Sequence, residues 1–203
     1  RLEELGVSFI FNAQVDEITD ENELTTVSYL ERSSGMSVKI PADAVLVATG
    51  RKASTASLNL EAAGVAVNER GEIIVNELLQ TTVPHIWALG DVKGGLQFTY
   101  ISLDDFRIIK EQLFGQNDRT TANRPPVAYS VFLDPTFARV GLSEAEALLS
   151  GHKIKVAKIA EAASPRARLF GSTSGYLKAI VDAESNKILG AAFFCSEASE
   201  IIN

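Results

Sequence analysis

Two kinds of apolar pattern divide the chain. In the first half, short continuous apolar runs stop abruptly at a small residue: "VSFIFNA" (7–13), "DAVLVATG" (43–50) and "IWALG" (86–90). The first is β-branched and aromatic-rich, a strand in propensity and length, while the continuously apolar runs ending at Gly50 and Gly90 predict buried strands. "GEIIVN" (71–76) adds an isolated strand, and "LTTVSYLE" (24–31) with "MSVKI" (36–40) predicts a hairpin around Ser33-Ser34-Gly35. In the second half the pattern alternates. "KIKVAKIA" (153–160) has period two, and "GYLKAIVDAESNKILGAAFFC" (175–195) predicts two strands around an Asp-Ala-Glu-Ser-Asn turn. "VAYSVFL" (127–133) and "ARVGL" (138–142) are strand-like as well.

Helical spacing is sparser. "YISLDDFRIIKEQLFG" (100–115) sets Ile101, Phe106, Ile109 and Leu113 roughly along one face before a glycine stop. "SEAEALLSG" (143–151) carries Ser143 as N-cap, acidic residues in its first turn and a closing glycine. "LNLEAAG" (58–64) predicts a short helix, "RLEELG" the tail of one, and "SEASEIIN" the first turns of another. The polar stretch "QNDRTTANRPP" (116–126) has the composition of a linker and marks a domain boundary. The expected fold is α/β up to that linker and α+β with an antiparallel sheet beyond it.

Composition bounds the rest. The chain has 203 residues, 46% apolar and 22% charged, as expected of one or two soluble globular domains. No stretch approaches the roughly 20 apolar residues that cross a bilayer. Net charge is −7, which disfavours a nucleic-acid partner. The single cysteine, Cys195, excludes an internal disulfide and fits a reducing, cytoplasmic setting; at the end of "ILGAAFFC" it reads as a buried structural thiol. His85 and His152 are isolated in sequence, too few to define a metal site. Both chain ends read as cut, and the expectation is an interior piece of a longer protein. No 20- to 50-residue period recurs.

Two strand ends carry the candidate chemistry. At the first, Gly90 would let a ligand press on backbone, and the carboxylate of Asp91 would accept hydrogen bonds from sugar or polyol hydroxyls. A helix beginning near Thr99 would point its positive end at the same ligand. Gly-Asp is also an ordinary turn after a strand, and alone it does not decide. At the second, "ATGRKAS" (48–54), Gly50 ends another apolar run and Arg51 is placed to meet phosphate or carboxylate, or simply to be solvated. "SPRARLFG" (164–171) puts Arg166 and Arg168 on one side of an extended segment, either an anion contact near a dimer interface or a solvated loop.

Together, "VLVATGRKAS", "IVNELLQTTVPHIWALGDV" and "PVAYSVFLDPTFARVGLSEAEA" resemble the flavin- and nicotinamide-dependent disulfide oxidoreductases, the family of glutathione reductase, dihydrolipoamide dehydrogenase and mercuric reductase. "FTYISLDDFRII" and "SPRARL" look most like its bacterial subgroup that resists reactive chlorine species and reduces hypothiocyanous acid or metal ions. The resemblance implies partial Rossmann-like domains: residues 1–52 closing an NAD(P)H-binding domain, 53–124 closing an FAD-binding domain, and 125–203 beginning a dimerisation domain through which the protein pairs with itself. It implies FAD and NAD(P)H as cofactors and a small disulfide or oxidant as substrate. Gly90, Asp91 and Thr99 match flavin-contacting positions, Gly50 a nicotinamide-cofactor contact, and Val15 a position beside that cofactor's adenine. Arg51 stands in the family's Gly-Arg pair, although Ala53 replaces the proline usual two residues later. The family's Cys-x4-Cys pair, its Gly-x-Gly-x-x-Gly loops and its C-terminal His-Pro segment do not occur in these 203 residues, so the resemblance names no catalytic residue here. Two alternatives stay open: a dimerisation and folding module that binds no cofactor by itself, and a related NADH oxidase or ferredoxin reductase.

Overall fold

The computed structural model describes residues 1–21, 24–115 and 118–203 and divides the chain into two units, Arg1–Lys52 and Ala53–Asn203. In the first unit, strands β1 (Ala13–Glu21), β2 (Leu24–Glu31) and β3 (Met36–Ala42) form an antiparallel sheet in the order β1-β2-β3. The predicted hairpin is present: Glu31 pairs with Met36, and the Gly35 N–H closes the turn on Glu31 O at 2.8 Å.

The two apolar runs of this unit depart from expectation. Residues 7–12 lie outside any ladder, and the strand begins only at Ala13, where the predicted one ended. Residues 44–50 form no strand and are exposed, Leu46 at 90%. A strand of this type takes its hydrogen bonds and its burial from neighbours on both sides. Among the described residues of this unit, the ladders are those of β1 to β3, and neither run joins them. Within the first run Phe9 and Phe11 stack with ring centroids 5.7 Å apart, and the run ends in a turn at Phe11 and Asn12.

In the second unit, residues 53–98 replace the predicted elements with turns. "LNLEAAG" is one turn, closed by Val65 N–H on Leu60 O at 3.0 Å, rather than a helix. "GEIIVN" makes a single bridge, Ile73 to Val67, and "IWALG" another, Trp87 to Gln80. Asparagine side chains supply the bonds that a longer ladder would have made: Asn68 Oδ1 accepts from the N–H groups of Arg70 and Glu72, and Asn76 Oδ1 from those of Leu78 and Gln80. Such turns compete locally with sheet. Val65, Ile73 and Ala88 still form a small core with Leu60, Val75, Val83, Ile86 and Val92 around them.

Helix α1 (Thr99–Phe114) follows, close to its predicted bounds but turned on its axis. Its buried stripe is Ile101, Asp105 and Ile108, while Phe106 and Leu113 from the predicted face are about half exposed. Of the linker 116–126, Gln116 and Asn117 lie outside the described residues, and Arg119 and Arg124 are tied by ion pairs to Asp104 and Asp105 of α1.

Beyond it, β4 (Tyr129–Val131), β5 (Phe137–Gly141), α2 (Glu144–Leu149), β6 (Ile154–Ala160), α3 (Pro165–Leu169), β7 (Tyr176–Asp182), β8 (Ile188–Phe194) and α4 (Ala198–Ile201) give the expected α+β arrangement. The sheet runs β4-β5-β8-β7-β6 with antiparallel pairs throughout. A Cβ at Gly190 would lie 2.0 Å from Leu142 O, so only glycine permits the approach that seats Leu142 N–H on Leu189 O at 2.9 Å. On one side of the sheet Ala138, Cys195, Ala198 and Ile202 pack with Val140, Leu177 and Phe193. The segment "SPRARL", expected to be extended, is a helical turn capped by Ser164 with Pro165 at its first position.

Candidate functional site

The turn after Trp87 is built from a glycine, a carboxylate and a buried helix face. Gly90 to Lys93 form a short 3-10 turn, and Gly90 itself is buried at φ +72°. That backbone region favours glycine, since a side chain there costs about 1–2 kcal/mol. A Cβ at Gly90 would also stand 2.8 Å from Ser102 Oγ on α1. The glycine therefore admits the neighbouring helix at this point. Asp91, next in the chain, is half-buried at the start of the turn.

The residue that fixes this turn is not among the sequence-predicted candidates. Asp105 has no exposed surface, and its Oδ2 accepts the Gly90 N–H at 2.9 Å. The same oxygen lies 3.3 Å from Lys93 Nζ, while Oδ1 takes a close hydrogen bond from Arg124 Nη2. Arg124 Nε reaches onward to Asp104 Oδ2 at 2.6 Å, and Asp104 Oδ1 pairs closely with Arg119. Five charged side chains thus run from a buried backbone N–H to the surface. Burial disfavours the charge of Asp104, but hydrogen bonds from Arg119 and Arg124 outweigh it and hold the carboxyl below the ordinary aspartate range. Breaking a buried pair of this kind by removing one partner costs about 3–5 kcal/mol. The signal was present in "ISLDDFRI": Asp105 sits four residues after Ile101 and three before Ile108, on the helix's apolar stripe.

Helix α1 starts beside this turn in sequence. Phe98 occupies the N-cap position and gives no side-chain cap, and the Ile101 N–H turns back onto Phe98 O at 3.0 Å. Thr99 is exposed at the first helical position. The start of the helix is held by stacking, Phe98 on Tyr100 at 5.2 Å and on Tyr129 at 5.9 Å, and by the Tyr100 hydroxyl donating to Ala128 O. Gly95, between turn and helix, has φ +76° and open space where a Cβ would stand.

Gly90, Asp91 and Thr99 therefore share one short stretch of the second unit. The other three candidates belong to the first unit. Gly50 is exposed at φ +105°, Arg51 is exposed beside it, and Val15 is exposed on β1 just before a bulge at Asp16. Gly50 and Arg51 do not close a laddered strand, because residues 44–50 form none, and Val15 lies near the start of β1.

Two cavities of the second unit lie elsewhere. One of about 510 Å³ borders the ion-pair chain through Tyr100, Asp104, Arg119 and Arg124. Another, about 780 Å³, is lined by Glu161, Arg166, Phe170, Leu177, Cys195 and Ile201. Neither is lined by Gly90 or Asp91. In the larger, Glu161 Oε1 accepts the Ser196 N–H at 3.0 Å, while its buried Oε2 has no hydrogen-bond partner. Burial, and then the Glu161 charge, push the Cys195 thiol up, which suits a structural thiol and not a nucleophile. Arg166 stacks over the Phe170 ring at 5.1 Å, and Arg168 donates to Ala162 O, so the two arginines are engaged locally. His152 Nδ1 is 3.1 Å from Asp182 Oδ2, His85 is exposed, and no group of three metal-ligating side chains occurs among the described residues. No helix among them is long and apolar enough to cross a membrane.

Comparison with known proteins gives a consistent result. Residues 1–105 match the family profile described as pyridine nucleotide-disulphide oxidoreductase, and residues 127–203 that family's dimerisation domain. The chain is 47% identical over 203 residues to the probable pyridine nucleotide-disulfide oxidoreductase RclA of Escherichia coli (strain K12), and 36% identical over 203 residues to the mercuric reductase of Staphylococcus aureus. A solved structure of the HOCl-induced flavoprotein disulfide reductase RclA from Escherichia coli superposes over 100% of this chain with TM-score 0.90 and 46% identity. The chain spans 44% of the length of the first of these relatives and 36% of the second.

Proposed function

The chain belongs to the pyridine nucleotide-disulphide oxidoreductase family, whose members use FAD and NAD(P)H, and on that premise we propose that it carries part of the flavin-binding framework of such an enzyme. In this reading residues 1–52 close an NAD(P)H-binding domain, 53–124 close an FAD-binding domain, and 125–203 bring two copies together. The observation that carries it is the Gly90-Asp91 turn, clamped from behind by Asp105 and leading into the uncapped start of α1.

Those residues suit a flavin nucleotide. Asp91 presents an acceptor to a polyol hydroxyl, a charge-assisted bond worth about 1.5–3 kcal/mol. The N–H groups at Thr99 and Tyr100, which no side chain caps, offer a positive end to an electron-rich ring edge. Gly95, between the two in sequence, has open space where a Cβ would stand. Gly50, Arg51 and Val15 are assigned to the nicotinamide nucleotide, with Arg51 as the anion partner. A bound flavin supplies hydride acceptance from nicotinamide and onward electron transfer, and the protein's part is to orient it and balance its charge. The electron acceptor is a small disulfide or oxidant, in keeping with the HOCl-induced disulfide reductase among the relatives. A cytoplasmic setting accords with a lone, buried cysteine.

Asp91→Ala in the full-length flavoprotein tests the assignment. We expect most of the bound flavin to be lost on purification, read as the ratio of flavin to protein absorbance. A variant that keeps its full yellow colour refutes it. A second reading, a folding module that binds no flavin by itself, is favoured for the 203 residues alone by the exposure of Phe11, Leu46 and Val47. Gel filtration with an absorbance scan separates the two: a colourless oligomer is the module, a yellow species the flavoprotein.

A further inference from the structure

The cluster around Asp105 does more than fill space. One carboxylate with no solvent exposure receives a backbone N–H from the turn, an ammonium from the same turn and a guanidinium from a distant segment. Burying a charge so completely is costly unless each oxygen is paired, and here both are. The Gly90 N–H and the Lys93 ammonium, at the two ends of the 3-10 turn, meet the same oxygen, and the Lys93 side chain is only 10% exposed. Asp91 lies between those two anchors. Asp105 therefore ties the turn down on both sides of Asp91.

We propose that Asp105, held by Arg124, is a positioning residue that fixes the Gly90–Lys93 turn so that Asp91 faces the flavin. This rests on the reading of that turn as the flavin's polyol site. Arg124 is the outer half of the device. It is bidentate, with Nη2 on Asp105 and Nε on Asp104, and it sits in the segment leading to β4, where Tyr100 and Ala128 are also joined. The side-chain exposures rise outward, 0% at Asp105, 13% at Arg124, 14% at Asp104 and 36% at Arg119, so the chain of charges links the turn to the lead-in of the five-stranded sheet. A bidentate guanidinium fixes an orientation that a single point charge does not.

The test uses the full-length flavoprotein and reads FAD dissociation and the flavin absorbance spectrum, with the thermal stability of the apoprotein measured in parallel. Arg124→Gln is expected to raise the FAD dissociation constant about tenfold and to shift the flavin band, although Arg124 precedes the sheet and is not itself placed on the cofactor. Arg124→Lys, which keeps the charge and loses the fork, is expected to restore part of the affinity. Asp105→Asn keeps an acceptor for the Gly90 N–H and loses both ion pairs, and is expected to fall between wild type and Asp105→Leu. If these variants lower apoprotein stability but bind FAD with an unchanged constant and spectrum, Asp105 is only structural and the proposal is overturned. Asp91→Ala serves as the control. Loss of FAD there with unchanged binding in the Asp105 and Arg124 variants defeats the positioning role alone, whereas unchanged binding in Asp91→Ala defeats the reading beneath it. Should Asp105→Leu fail to fold, Arg124→Lys and Arg124→Gln carry the decision.

Discussion

Replacing Gly90 by alanine separates two physical demands that the turn makes on one residue. The first is backbone conformation: φ is +72°, and an L side chain held there costs about 1–2 kcal/mol. The second is contact, because the new Cβ would stand 2.8 Å from Ser102 Oγ and 3.5 Å from Ser102 Cβ. The hydroxyl can rotate away while the Cβ distance is ordinary van der Waals contact, so this part is smaller, about 0.5–1.5 kcal/mol for an off-rotamer serine. Gly90→Ala should therefore destabilise by about 1.5–3.5 kcal/mol. Gly90→Ala with Ser102→Ala should recover the contact portion and leave the backbone portion. Urea unfolding of the 203-residue chain followed by the fluorescence of Trp87, its single tryptophan, reports this turn directly. Equal destabilisation in the single and double variants would show that Ser102 yields at no cost. No destabilisation in either would refute the left-handed geometry and, with it, the clamp of the Gly90 N–H on Asp105.

Other expectations concern the dimerisation sheet. Ser143→Ala removes the side-chain acceptor of a capping box in which Ser143 Oγ takes the Glu146 N–H and Glu146 returns to the Ser143 N–H; a loss of about 1 kcal/mol in urea unfolding is expected. Bonds from Ser143, backbone first, and then Arg139 lower the Glu146 carboxyl to about 2. Its folded pKa lies below the ordinary glutamate value of 4.5, so its contribution is complete above pH 4.5 and is lost as pH falls toward 2; Glu146→Gln should flatten the acid limb of a stability–pH profile in that window. With its thiol buried and pushed up, Cys195 should react with an aromatic disulfide reagent only slowly until the protein is unfolded, and rapid labelling of the native state would contradict the packing seen.

What the sequence revealed, and what it hid, follows from where each element finds its partners. The pair β7 and β8, the hairpin β2 and β3, and helix α2 were legible because turn, alternation and cap all lie within about twenty residues, so local chemistry specifies them. "SPRARL" carried the signal of a helix start in Ser164-Pro165, but five residues are too few for periodicity to outweigh an extended appearance. On α1 apolar spacing alone points to the wrong face, because a charged residue, Asp105, lies on the buried stripe. Asp105 is buried only because Arg124, nineteen residues later, and the Gly90 N–H, fifteen residues earlier, meet it. Such long-range pairing leaves no periodic trace.

The exposed apolar runs of the first unit make a related point about strands. An alternating strand can leave one face wet, and edge strands such as β1 and β6 pair with a single neighbour. A continuous run such as Val45-Leu46-Val47 is written for burial on both faces, worth about 1.5–3 kcal/mol for each fully buried side chain. In this chain Leu46 and Val47 obtain little of it. The pattern thus encodes contacts with segments that the described ladders do not supply, and it agrees with relatives of which the chain spans 44% or less. By contrast the Gly90–Asp91 turn has its supporting charges in the same unit, which is why its geometry, and not that of Gly50 and Arg51, bears the functional reading.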